Sequence, residues 1–275
     1  MGKVWSINNN FGENKKIKEN YIFILSFILP MVIMFVVFTS LGVGFIGDKT
    51  IVSSDMYTQY VAYFGKFKDV LSGDGSIFYS FNKSIGGNNI GLFAYYLASP
   101  LNLLLMFFPK AAIGEFIFII YLIKIGLASL CFSLYISKVY KKKDLFVVIF
   151  SLCYALMSYN ICFQMNIMWM DGMMLLPLVA LGIEEIILKG KYKLYMIVLF
   201  MVVVSNYYIG YMICIFSVVY FFYKSIIYKK ISLPRTFKFF GAYFITGGLA
   251  SFLLIPVLIS LSTGKADFNL FSEAI

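Results

Sequence analysis

Apolar residues run through this chain in blocks of about 20, the length that carries a helix across a hydrocarbon layer about 30 Å thick. The blocks fall at residues 21–46, 112–137, 145–163, 172–188, 194–206, 209–228 and 237–261. This pattern predicts an all-α, polytopic integral membrane protein with about seven transmembrane helices. Pro30 lies inside the first block, where a missing backbone donor predicts a kink. That block follows Lys15, Lys16 and Lys18 but is too long for a cleaved signal segment, so it reads as an uncleaved first span.

The polar stretches between blocks set the orientation. With the N-terminus in the cytoplasm, the connections on that side carry Lys138 and Lys141–Lys143, then Lys189, Lys191 and Lys193, then Lys224, Lys229, Lys230, Arg235 and Lys238. Together with Lys3 and the three N-terminal lysines, these are 16 of the 23 basic residues, the asymmetry the positive-inside rule requires. A further apolar stretch, 92–108, would reverse every later loop if it crossed. Pro100 and Asn102 interrupt its middle, so it is predicted to be re-entrant or interfacial.

Residues 47–111 then form one large first extracytoplasmic loop. Within it Tyr57, Tyr60, Phe64, Phe67 and Leu71 recur at helical spacing, opposite Thr58, Gln59, Lys66, Lys68 and Asp69. That is an amphipathic helix suited to the membrane surface. The predicted organisation is a cytoplasmic segment 1–20, a membrane domain 21–262 and an extracytoplasmic tail 263–275, with no internal repeat and no soluble domain.

Composition agrees with lipid as the solvent: 61% of residues are hydrophobic and 13% charged, and the mean hydropathy is +0.87. The net charge of +10 is spread in short clusters between spans, which argues against nucleic acid as a partner. Cys131, Cys153, Cys162 and Cys214 fall in apolar runs without CxxC spacing and read as small buried hydrophobes. The chain has no histidine, which removes any Ser/His/Asp arrangement and leaves proton chemistry to carboxylates.

Asp55 is the most suggestive carboxylate, just after the first span and immediately before the amphipathic helix. Two readings stand for it, an N-cap of that helix and a catalytic group. Asp171, in the short outer turn before the fourth span, is open to the same pair of readings. Two converging carboxylates would share a proton or bind a divalent cation such as Mg or Mn. Lys124 sits mid-span and needs a partner there, for which an anionic lipid phosphate is one choice. Gly86-Gly87-Asn88-Asn89 would let backbone approach a substrate, and Ser205-Asn206-Tyr207-Tyr208 offers aromatic and amide groups that suit a sugar. Plain loop and interfacial-belt roles are the alternatives for these segments, and Trp169 is likewise read as a belt residue.

Several segments carry a family resemblance: Asp55-Met56-Tyr57-Thr58-Gln59-Tyr60, Gly86-Gly87-Asn88, Ala94-Tyr95-Tyr96-Leu97-Ala98-Ser99-Pro100-Leu101-Asn102, Asn166-Ile167-Met168-Trp169-Met170-Asp171 and Ser205-Asn206-Tyr207-Tyr208-Ile209-Gly210. In order and spacing the chain resembles the N-terminal part of the bacterial YfhO-type membrane proteins. The resemblance implies a glycosyltransferase of the GT-C architecture in the bacterial plasma membrane. It would use a polyprenyl-phosphate sugar donor and an extracytoplasmic cell-envelope acceptor such as lipoteichoic acid. It also implies a longer parent protein. Asp55 matches the acidic residue that such enzymes carry in their first outer loop, and Asp171 would orient the acceptor or a metal. Lys124, Gln59, Tyr60, Asn88, Asn166, Trp169, Asn206 and Tyr207 are the candidate substrate-binding residues. A lipid or solute transporter and a non-catalytic envelope-assembly protein are the competing classes.

Overall fold

The computed structural model describes residues 2–81 and 86–263; most of the predicted tail 263–275 lies outside the described residues. Most of the described residues are helical, so the all-α expectation holds at that level. The first helix, α1 (Gly2–Ser40), starts well before the predicted span and runs through Pro30 without a break. It ends in a turn with Gly42 and Gly44 at φ of 73° and 103°, a left-handed geometry that glycine adopts without strain.

The segment that follows begins with a π-helical turn, Met56–Tyr60, continuous with α2 (Val61–Leu71). The wider turn shifts the register of the amphipathic face. Met56, Tyr60, Phe64 and Phe67 point inward, while Tyr57, predicted on the apolar face, is 75% exposed. A two-residue antiparallel hairpin, β1 (Tyr79–Ser80) and β2 (Gly87–Asn88), leads to α3 (Ile90–Leu92) and a second π turn, Phe93–Leu97. The chain then breaks at Ser99, which is extended ahead of Pro100 as pre-proline sterics demand, and continues in a 3-10 helix, Pro100–Phe107. The two halves meet at 87°, the geometry of a broken span or a re-entrant segment.

The bundle is built on α4 (Ile113–Tyr140), which packs against α1, α5 (Leu145–Ala155) and α7 (Met170–Lys189). A short α6 (Ser158–Cys162) separates α5 from α7. The predicted span 145–163 is therefore two helices, broken at Leu156 and Met157. Next come α8 (Lys193–Ser205), α9 (Tyr207–Ile227), α10 (Leu233–Leu249) and α11 (Ser251–Thr263). The last two, predicted as one span, meet at 66°.

Among the described residues three helical stretches are long and apolar enough to cross a membrane singly: Asn20–Ser40, Lys110–Tyr140 and Tyr207–Ile227. Counting each bent pair as one span raises this to five. Seven were expected, and the difference has local causes. Helix α8 has 13 residues, about 20 Å at 1.5 Å per residue, and α7 carries Asp171, Glu184, Glu185 and Lys189.

Lipid gives apolar helices little reason to prefer one another over acyl chains, so close contact depends on small residues. Gly182 of α7 lies against the backbone of Tyr195 in α8, where an added Cβ would come within 2.7 Å of the Tyr195 Cα. Gly126 of α4 admits the Phe27 carbonyl and Met31 of α1 in the same way. One core gathers around Phe116, Ile117 and Tyr121 of α4 with Met56 and Phe64 beneath it. A second surrounds Val179, Ile183, Tyr195 and Leu199.

Candidate functional site

The break at Ser99 places a short polar residue against the start of α7. The Ser99 hydroxyl donates to Asp171 Oδ1 at 2.8 Å, and Lys124 Nζ donates to Asp171 Oδ2 at 2.6 Å. Lys124 also donates to the Ile167 carbonyl at 2.8 Å. Lys124 and Asp171 are each 1% exposed. A charge buried this deeply requires a partner, and here each charge is the other's. Both groups thus find partners inside the protein, Lys124 in a carboxylate and a backbone carbonyl and Asp171 in an ammonium and a hydroxyl. Asp171 lies in the first turn of α7, where Trp169 holds the cap position and no side chain caps the helix.

Tyr95 and Tyr96, on the π turn that precedes the Ser99 break, belong to a shelf of tyrosines. The Tyr96 ring is 5.1 Å from that of Tyr60, 4.9 Å from that of Tyr63 and 4.7 Å from that of Tyr95, measured between centroids. Tyr95 in turn lies 5.9 Å from Tyr207 and 6.1 Å from Tyr208. Polar contacts fix these rings in place. Trp169 Nε1 donates to the Tyr95 hydroxyl at 3.0 Å, and Tyr60 donates through its hydroxyl to Asn166 Oδ1 at 3.0 Å. Asn206 serves two elements at once: its Nδ2 donates to the Tyr95 carbonyl at 2.8 Å, and its Oδ1 accepts from Ile209 N, capping α9.

Asp55 stands at the edge of this shelf, exposed, in the cap position before the π turn, yet its side chain caps no backbone N–H. Burial, then Tyr96 and the Asp55 carboxylate, push the Tyr60 phenol well above its ordinary range. Tyr60 therefore stays protonated and donating. Gln59 is half-buried on the same turn. Asn88 belongs to a different feature: it is exposed on the hairpin, where its Oδ1 accepts from Ile90 N at 2.9 Å.

The structure thus gathers Tyr60, Asn166, Trp169, Asn206 and Tyr207 with Tyr63, Tyr95 and Tyr96, three tyrosines that sequence reasoning did not single out as site residues. The Tyr95-Tyr96 pair, two residues ahead of a Ser-Pro break, was the available signal. A divalent cation does not fit the donors present. Both Asp171 oxygens are committed, and among the described residues no three Asp, Glu or Cys side chains cluster at metal-binding range.

A second buried ionic group, also unforeseen, lies toward the other end of α7. Glu184 is 2% exposed and pairs with Lys224 at 2.9 Å. Tyr220 donates to Glu184 Oε1 at 3.0 Å, and Tyr135 and Tyr220 share a hydrogen bond of 2.8 Å. Lys224, inside the predicted span 209–228 but counted with the cations of the connection after it, lies in the last turn of α9. A glutamate inside the run Leu181-Gly182-Ile183-Glu184-Glu185-Ile186 was the signal for it.

Apolar helices of spanning length, held together by buried ion pairs, define an α-helical integral membrane protein. The chain belongs to the YfhO family of bacterial membrane proteins, whose family model matches residues 26–274. No curated protein matches the chain, and no solved structure does.

Proposed function

We propose that the protein is a membrane glycosyltransferase that moves a sugar from a polyprenyl-phosphate donor to a cell-envelope acceptor such as lipoteichoic acid. The observation that carries this reading is an exposed carboxylate, Asp55, at the edge of a polar-anchored tyrosine shelf. Aromatic faces with hydroxyl and amide groups around them offer a sugar both apolar contact and hydrogen bonds. The proposed topology keeps the N-terminus cytoplasmic and about seven crossings, with α8 and the bent pairs contributing as short or broken spans. Residues 47–111 then cover the outer face, and the shelf faces outward.

In the proposed reaction the acceptor hydroxyl oxygen attacks the anomeric carbon and forms the new glycosidic bond. The bond from that carbon to the lipid phosphate oxygen breaks, and the phosphate leaves with the electron pair. Asp55 takes the proton from the acceptor oxygen as it attacks. Tyr95, Tyr96 and Tyr207 position the sugar, with Tyr60, Asn166, Trp169 and Asn206 holding those rings. Lys124, Asp171 and Ser99 are positioning residues, because they fix the broken segment that carries Tyr95 and Tyr96.

The test is reconstitution of the protein in vesicles with a labelled undecaprenyl-phosphate sugar and a lipoteichoic-acid acceptor. Wild type is expected to label the acceptor and Asp55→Asn to fail. Equal transfer by both removes Asp55 from the chemistry. The buried Glu184–Lys224 pair favours a second reading, transport of a lipid-linked cargo, and movement of donor across the bilayer without transfer would support it.

A further inference from the structure

The last turns of α4 and the first turns of α5 flank a half-open cavity of about 700 Å³ that the proposed chemistry does not use. Its size is that of a small-ligand site. Phe132, Ile136, Phe146 and Phe150 make its apolar wall. Tyr135 lines it too, but its hydroxyl is engaged by Tyr220, which leaves mainly the ring to face the cavity. This part of the cavity suits hydrocarbon.

The remainder is polar. Lys141 ends α4 in the left-handed conformation, at φ of 55°, and turns the chain sharply into α5. Through that turn Lys142 and Asp144 both line the cavity. Asp144 holds the cap position of α5 without capping it. Its Oδ1 is buried with no hydrogen-bond partner among the described residues. An acceptor left in that state costs free energy that a ligand donor would recover. Lys142 is exposed between two further lysines, so an anion is drawn to the same place.

We infer that this cavity holds one phospholipid from the leaflet on the lysine-rich side, with an acyl chain along the aromatic wall and its phosphate on Lys142. Its headgroup carries a hydrogen-bond donor, an ammonium or a hydroxyl, that satisfies Asp144. The inference rests on the chain being membrane-embedded, which family membership gives, and not on sugar transfer. A headgroup with a phosphate but no donor, such as phosphatidylcholine, meets only half of the site.

The experiment equilibrates the purified full chain with vesicles of equal parts phosphatidylethanolamine, phosphatidylglycerol and phosphatidylcholine, re-isolates it in mild detergent and quantifies the retained lipid by mass spectrometry. No sugar donor is present, so the outcome is separate from that of the transfer assay. Wild type should retain the two donor-bearing lipids over phosphatidylcholine. Lys142→Gln should lower retention of both by about fivefold, the scale of one lysine against an anionic surface. Asp144→Ala should erase the discrimination against phosphatidylcholine. Ile136→Trp, which intrudes on the apolar wall, should lower retention of all three. Equal retention of the three lipids by wild type, or unchanged retention and discrimination in Lys142→Gln and Asp144→Ala, means bulk solvation only and overturns the inference. If Ile136→Trp does not fold, the two variants at the polar end decide.

Discussion

Lys124 of α4 and Asp171 of α7 form an ion pair of 2.6 Å with both side chains 1% exposed. The pair joins two helices of the bundle to the broken segment through Ser99. Because that segment carries Tyr95 and Tyr96, the ion pair is tied through Ser99 to the tyrosine shelf.

Breaking this pair from one side should be costly. Lys124→Met leaves Asp171 buried and uncompensated, and a loss of about 3–5 kcal/mol is expected. The double variant Lys124→Met/Asp171→Leu should recover much of that, because two well-packed apolar groups replace both charges. Unfolding in a graded denaturing detergent measures each. A double variant no more stable than the single one would show that the pair is not what holds α4 to α7.

Asp55→Asn should be almost silent in stability, within about 0.5 kcal/mol, because Asp55 is exposed and caps nothing. In the reconstituted transfer assay the same substitution should cost about 10²- to 10⁴-fold, the usual contribution of a general base. Tyr95→Phe, which loses the Trp169 hydrogen bond but keeps the ring, is expected to raise KM for the donor more than it lowers kcat. Loss of activity together with loss of folding in Asp55→Asn would point to a structural role instead.

Tyr60 supplies a pH dependence. Its phenol is raised above the ordinary tyrosine value of about 10 in the folded protein, first by burial, then by Tyr96 and Asp55. As pH rises above the unfolded value the unfolded chain loses this proton first, so the protein binds more protons folded than unfolded. The contribution is therefore intact below about pH 10 and declines as pH rises through the folded value. Tyr60→Phe should flatten that alkaline decline, read by unfolding midpoints across pH. It should also lose the hydrogen bond to Asn166, worth about 1 kcal/mol.

Gly182→Ala should separate α7 from α8, since its Cβ would come within 2.7 Å of the Tyr195 backbone. A loss of about 1–3 kcal/mol is expected for such overpacking. Gly241→Ala, at a position with nothing within 4 Å, is the control and should not destabilise. Similar melting of the two variants would show that the close approach does not matter.

The helices and their apolar character were legible because both depend on contiguous residues: an apolar run of spanning length reports itself. The Ser99-Pro100 break was legible for the same reason, as Pro100 interrupts an apolar run. The span count was less so. A sum of hydropathy over 145–163 does not register the break between α5 and α6, and none over 237–261 registers the 66° bend between α10 and α11. The π turn at Met56–Tyr60 likewise moved Tyr57 off the buried face, against a pattern read at regular helical spacing.

The sequence by itself determined that this is a helical membrane protein, that its cations gather in short clusters between the apolar blocks, and that Asp55, Asp171 and Lys124 stand where charge is unusual. Only the tertiary structure decided their partners. Lys124 and Asp171 are far apart in the chain, as are Tyr60 and Asn166, or Trp169 and Tyr95, and no local pattern links them. Hydropathy and helical period are properties of neighbours along one element. An ion pair, a ring stack or a cavity forms between elements, and its geometry exists only once those elements pack.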